Sequence, residues 1–159
     1  MSPLRGTFLA LALLSAPAAG AAPTDQKEQH MVQHQAKGTF DVKMAPQADD
    51  TADVGRMTLD KTFHGDLEAS SIGQMIAVRT PTEGSAGYVA MERVTGTLGG
   101  KKGSFALQHF GTMNRGKQHL RIEIVPDSGT DGLAGISGTL DIIIEKGAHS
   151  YVLDYTLPG

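Results

Sequence analysis

From Ala36 onward the apolar residues of this chain recur at every second position, and no window shows the three-and-four spacing of an amphipathic helix. Phe40, Val42 and Met44 form one such set, and Met57, Leu59 and Phe63 a second. Leu120, Ile122 and Ile124, then Leu140, Ile142 and Ile144, then Tyr151, Leu153, Tyr155 and Leu157 form three more. Period two puts alternate side chains on opposite faces of a strand. With "SIGQMIAV" from Ser71 to Val78, and the two arms of "YVAMERVTGTLGGKKGSFALQHFGTM" from Tyr88 to Met113, eight strands are expected. Turn-rich segments separate them, among them "APQADDTADVG", "RTPTEGSAG", "NRGKQ" and "VPDSGTDGLAG". Eight antiparallel strands form a sandwich or a closed barrel. Gly38, Gly96, Gly111 and Gly138, each followed by Thr inside a strand pattern, supply the bends that closure needs and favour the barrel. Their irregular spacing argues against a tandem repeat.

The first 21 residues read as a secretory signal peptide: an early Arg5, an apolar run from Phe8 to Leu14, then Ala19 and Ala21 at a cleavage position. The run is too short to span a membrane, and no later stretch is longer. An exported protein, periplasmic or extracellular, is therefore expected. Residues 22–35, "APTDQKEQHMVQHQ" up to Gln35, are polar and read as a flexible leader, leaving residues 36–158 as one domain. Without Arg5 the chain holds 13 basic against 17 acidic side chains, a net charge of −4 with no basic cluster, so a nucleic-acid groove is not expected. The absence of cysteine removes disulfides, thiol chemistry and thiolate metal sites, and the core alone must hold the fold.

The hairpin of Tyr88–Met113 raises the question of chemistry. With Gly100-Lys101 as a two-residue turn, Glu92 lies opposite His109 and Gly96 opposite Phe105. One face then carries Tyr88, Ala90, Glu92, Val94, Leu98, Phe105, Leu107, His109 and Met113, and the other Val89, Met91, Arg93, Ala106, Gln108 and Phe110. The first is more apolar and is assigned to the lumen; a one-residue slip would mix the faces. An acid and an imidazole thus sit side by side in an oily interior, where either charge alone costs several kcal/mol. Tyrosine hydroxyls from Tyr88, Tyr151 or Tyr155 are candidates to complete the group. It reads either as a lumen site, with Glu92 as base or acceptor and His109 as acid or donor, or as a satisfied polar pair filling the barrel.

Other motifs carry less. His30 and His34 have the spacing of a helical metal pair but lie in the polar leader, without the glutamate of a zinc protease. Asp49, Asp50 and Asp53, and separately Asp127 and Asp131, lack the spacing of a calcium loop and read as turns. "GISG" at Gly135–Gly138 falls short of a nucleophile elbow. His64, Asp66 and Glu68 alternate in "FHGDLEASS" and are expected to share one solvated strand face. No metal or other cofactor is expected.

The stretches "GSAGYVAMERVTGTLGGKKGSFALQHFGTMNRG", "VPDSGTDGLAGISGTL" and "HSYVLDYTLP" resemble the bacterial domain of unknown function (DUF) 3224 family over about Ala36 to Pro158. The resemblance implies a single antiparallel β-barrel of the allene oxide cyclase type, similar also to plant dirigent proteins, and brings no established activity. This chain departs from many relatives in its signal peptide. Barrels of that type hold hydrophobic intermediates in the lumen, an analogy of fold alone, and no cyclase motif is recognisable here. Three functions are expected in descending order. The first is a barrel that binds a small, mostly apolar molecule. The second is an isomerase or cyclase using the Glu92–His109 pair for proton transfer. The third is a solid barrel whose outward Val89, Met91 and Phe110 support homo-oligomers.

Overall fold

The computed structural model of the protein describes residues 31–48 and 54–158. The expected signal peptide, His30 and the Asp49, Asp50 and Asp53 cluster lie outside the described residues. Eight strands run in order: β1 Met31–Pro46, β2 Val54–Gly65, β3 Leu67–Arg79, β4 Ala86–Leu98, β5 Lys101–Asn114, β6 Lys117–Ile124, β7 Ser137–Glu145 and β8 Ala148–Pro158. Each pairs antiparallel with its neighbours in chain order, and β8 returns to β1 to close the barrel. The fold is the all-β, eight-stranded antiparallel barrel expected from the alternation. Among the described residues the one helical element is a single 3-10 turn, Asp131–Leu133, so no helix crosses a membrane.

β1 begins at Met31, five residues earlier than expected. Residues 31–35, read as part of a leader, pair with Asp154 to Pro158 of β8. His34, exposed in that strand, stacks on the ring of Tyr155 at 5.1 Å. Residues 31–35 belong to a strand whose backbone is paired there while these five side chains face water.

The β4–β5 hairpin turns on Gly99-Gly100, not Gly100-Lys101. Leu98 faces Lys101, Glu92 faces Leu107, and His109 faces Ala90. Both glycines have positive φ, 55° and 79°, as the type I′ turn that matches strand twist demands. Gly96 consequently lies opposite Gly103 rather than Phe105. The register differs from the expected one by two residues, which keeps every side chain on its assigned face. "FHGDLEASS" is likewise a corner: β2 ends at Gly65, β3 starts at Leu67, and His64 and Glu68 meet across it at 3.8 Å. Asp66 at the apex prolongs the ladder of β1, donating its N–H to Lys37 O and accepting the Lys37 N–H on Oδ2.

The barrel end holding this corner and the Gly99-Gly100 turn is packed solid. Leu67, Val94, Leu98, Phe105, Leu107 and Leu153 are fully buried, each contributing about 1.5–3 kcal/mol by leaving water. The long β6–β7 connection closes it. Leu133 and Ile136 plug the lumen from that connection, while Val125, Ser128 and Thr130 bond the backbone of Ser104 and Ala106. That cover buries Ala106, expected on the exposed face. Elsewhere the outer face is as expected: Val89 pairs with Ile76 and Phe110 in an exposed apolar row, and Met91 lies beside it.

Gly38 stands opposite Gly65, where the pairing of β1 with β2 begins. A Cβ there would lie 1.8 Å from His64 O and 2.7 Å from the Tyr151 hydroxyl. Gly38→Ala should therefore destabilise the barrel by about 3 kcal/mol, the upper range for overpacking, read as a lowered midpoint of denaturant unfolding.

Candidate functional site

Halfway along the lumen, four polar side chains interrupt the apolar lining. Glu92 and His109 point inward from β4 and β5, as the alternation of their neighbours requires. Lys61 points inward from β2 between Leu59 and Phe63, and Ser71 from β3 two positions before Gly73. All four are buried, Glu92 to 2% exposure. Gly73 pairs directly with Glu92, and a Cβ on it would stand 2.6 Å from Glu92 Cβ; the glycine makes room for the carboxylate.

Lys61 Nζ is 3.0 Å from Glu92 Oε1 and 2.9 Å from Oε2, and the Ser71 hydroxyl donates to Oε2 at 3.3 Å. The ammonium also lies 5.2 Å from the centre of the Phe40 ring and 5.8 Å from that of Phe63, so aromatic faces meet charge that the carboxylate does not. Burial pushes the Glu92 carboxyl up, but His109 and Lys61 beside it more than compensate, and it is held below its ordinary value as a carboxylate. His109 Nε2 stands 3.5 Å from Glu92 Oε1, near enough to act on the charge but outside hydrogen-bond geometry. It is a buried nitrogen with no hydrogen-bond partner, and such atoms are rare in folded proteins.

The expected acid–imidazole pair thus exists, as diagonal rather than directly opposite neighbours. Tyr88 shares the lumen with it. The Tyr88 ring lies across Gly111, where a Cβ would come within 2.1 Å of it. Its hydroxyl is raised above the ordinary phenol range by burial and then by the Glu92 charge. Tyr151 and Tyr155 belong to the packed end instead. The Tyr151 hydroxyl accepts the Leu67 N–H at 3.0 Å and donates to His64 O at 3.3 Å. Tyr155 lines an outer cleft beside Asp66 and Glu68, whose carboxylates already accept the backbone N–H groups of Lys37 and Gly65.

Lys61 and Ser71 were not anticipated. Lys61 was legible in principle, being a cation at the period-two position between two apolar residues. Its partner was not, because Glu92 lies two strands away.

Beyond this polar layer, toward the β3–β4 and β5–β6 turns, the lumen-facing residues are incompletely covered. Val42, Met57, Met75, Tyr88, Met113 and Ile142 are half-buried. Met44, Leu120 and Ile144, on the same faces of their strands, are 56%, 38% and 61% exposed. Inward-facing side chains are thus buried toward one end of the barrel and partly exposed toward the other, where methionines are frequent.

Residues 36–155 match the model of a family described as protein of unknown function (DUF3224). Among solved structures, the barrel is similar to the crystal structure of a protein of unknown function from the DUF3224 family of Shewanella oneidensis MR-1. The two share 47% sequence identity and a TM-score of 0.74, over 80% of this chain and 100% of that one. No curated protein matches the chain.

Two outcomes follow from the buried pair. Lys61→Met leaves the Glu92 charge uncompensated and should cost about 3–5 kcal/mol, whereas Lys61→Met combined with Glu92→Leu should recover most of that loss; chemical denaturation of the three proteins measures both. Because the folded state lowers the Glu92 pKa, its stabilisation is complete above the ordinary value of 4.5 and fades as pH falls below it through the folded value. Glu92→Gln should flatten that acid limb of stability against pH, measured by thermal melts across the range.

Proposed function

The chain belongs to the DUF3224 family, whose description assigns no activity, and we propose from the geometry of its own lumen that it is a binding barrel for a small, mostly apolar molecule. The observation that carries this reading is the asymmetry of the interior. Side chains that face inward and would be covered in a solid barrel are instead partly exposed toward one end, and they are apolar. Four of the chain's seven methionines, Met44, Met57, Met75 and Met113, are among them. Methionine is unbranched and polarisable and moulds itself to ligands of differing shape.

In this reading the polar layer is the floor of the pocket, and Tyr88 offers a hydroxyl at its edge. The charges of Lys61 and Glu92 cancel, so the floor suits a neutral ligand with one polar group over an anion or cation, and an apolar body completes the fit. Proton transfer of the isomerase kind is less well served. A base for a ligand's C–H proton needs a raised carboxyl free to face it, and Glu92 is held in the opposite direction with both oxygens on Lys61. Export, argued from the signal-like first 21 residues, would place such a binder outside the cytoplasm, where apolar molecules need a carrier.

The neutral fluorophore N-phenyl-naphthylamine tests the reading. Its emission should rise on binding at micromolar protein. Met75→Glu, which places a carboxylate in the mouth, should weaken binding about tenfold or more. A chain that gives no enhancement while folded by circular dichroism would overturn the reading.

A further inference from the structure

The polar layer holds more than a structural ion pair requires. Lys61 and Glu92 satisfy one another, and Ser71 completes the carboxylate, yet His109 is buried beside them with Nε2 unpartnered. A lone pair 3.5 Å from a carboxylate oxygen would be repelled, so Nε2 is assigned the hydrogen, which stands outside hydrogen-bond geometry to Glu92. The layer then contains a primary amine, a carboxylate within hydrogen-bond reach of it, and a spare N–H donor. These are the three parts that attack of an amine on a carbonyl uses: nucleophile, proton acceptor and oxyanion donor.

We propose that Lys61 captures an apolar aldehyde or ketone as an imine at the floor of the lumen. This rests on the binding reading above and narrows the ligand to carbonyl compounds. A proton of the Lys61 ammonium crosses the 2.9 Å contact to Glu92 in a transient, uphill step, since the lowered Glu92 pKa favours the ion pair, and the freed lone pair on Nζ attacks the carbonyl carbon. The C=O π pair moves to oxygen, where the His109 Nε2–H stabilises it. A proton passes from nitrogen to that oxygen, giving a neutral carbinolamine. Protonated Glu92 returns its proton to the hydroxyl, which leaves as water while the nitrogen lone pair forms C=N. The net change is ammonium plus carbonyl to iminium plus water, with no oxidant or reductant.

The electrostatics favour this outcome over most buried modifications. The cation remains a cation, and Glu92 stays as its counter-ion. No charge is stranded in the low-dielectric interior at either end of the reaction. The rings of Phe40 and Phe63 around Nζ would flank the flat iminium as they flank the ammonium. Along β2, Leu59 and then Met57 separate Lys61 from the mouth, so the apolar body of a carbonyl ligand would lie where the methionines are.

The test uses the full chain, naphthaldehyde and sodium cyanoborohydride, which reduces an iminium to a stable secondary amine. Peptide mass mapping then reads out each lysine. At limiting aldehyde, Lys61 should be alkylated at least about tenfold faster than the exposed Lys101, Lys102 and Lys117, and the label should fall when N-phenyl-naphthylamine occupies the lumen. Labelling of Lys61 no faster than the exposed lysines overturns the imine. If naphthaldehyde still displaces the fluorophore in that case, the binding reading survives without it. Neither labelling nor displacement would overturn both.

Discussion

Glu92 is a carboxylate with no exposed side-chain surface, and such a charge has to be matched by whatever surrounds it. Three strands supply the match: Lys61 from β2, Ser71 from β3 and His109 from β5. A one-residue slip of any of them would turn its polar side chain to the outside and leave the carboxylate short of a partner. The ion pair therefore acts on the sheet as a register pin, at a depth where apolar contacts alone would tolerate several alignments. Its cost in desolvation is offset by two short contacts to one ammonium and by the aromatic rings beneath it.

Around that layer the two halves of the interior diverge. Toward the Asp66 corner, the tyrosines, the branched aliphatics and the plug from the β6–β7 connection fill the space, and Tyr151 ties strand ends together through its hydroxyl. Toward the opposite rim the side chains are long, flexible and partly wet. Gly116 N–H bonds Gly84 O there, and Arg115 N–H bonds the Ser85 hydroxyl, holding two hairpin turns side by side. A barrel with one sealed end and one adaptable end has a direction. In the proposed binding reading, a ligand at the less covered end would leave the packing that holds the fold undisturbed.

Much of the fold was legible in the alternation of apolar residues, because period two records which face of a strand is buried whatever the strand pairs with. That is why the strand count and the inward assignment of Glu92 and His109 hold in the structure, even though the hairpin register was two residues away; closure was read separately, from the glycines inside strands. The turn itself was misread because Gly99, Gly100 and Lys101 offer two overlapping two-residue loops. Only the Gly-Gly choice puts both central residues at positive φ. The start of β1 was missed for a related reason: "MVQHQ" has no apolar alternation, and its place in the sheet is decided by the free edge of β8.

Sequence alone determined the parity of each strand, and with it the composition of the lumen, since a side chain's face depends on its neighbours one and two positions away. Tertiary structure decided which polar residues meet. Lys61 and Glu92 stand 31 positions apart in the chain, and Tyr151 and Tyr155 share a face with the lumen yet end at its sealed base. Such meetings depend on strand tilt and stagger around a closed sheet, quantities summed over all eight strands and carried by no single segment.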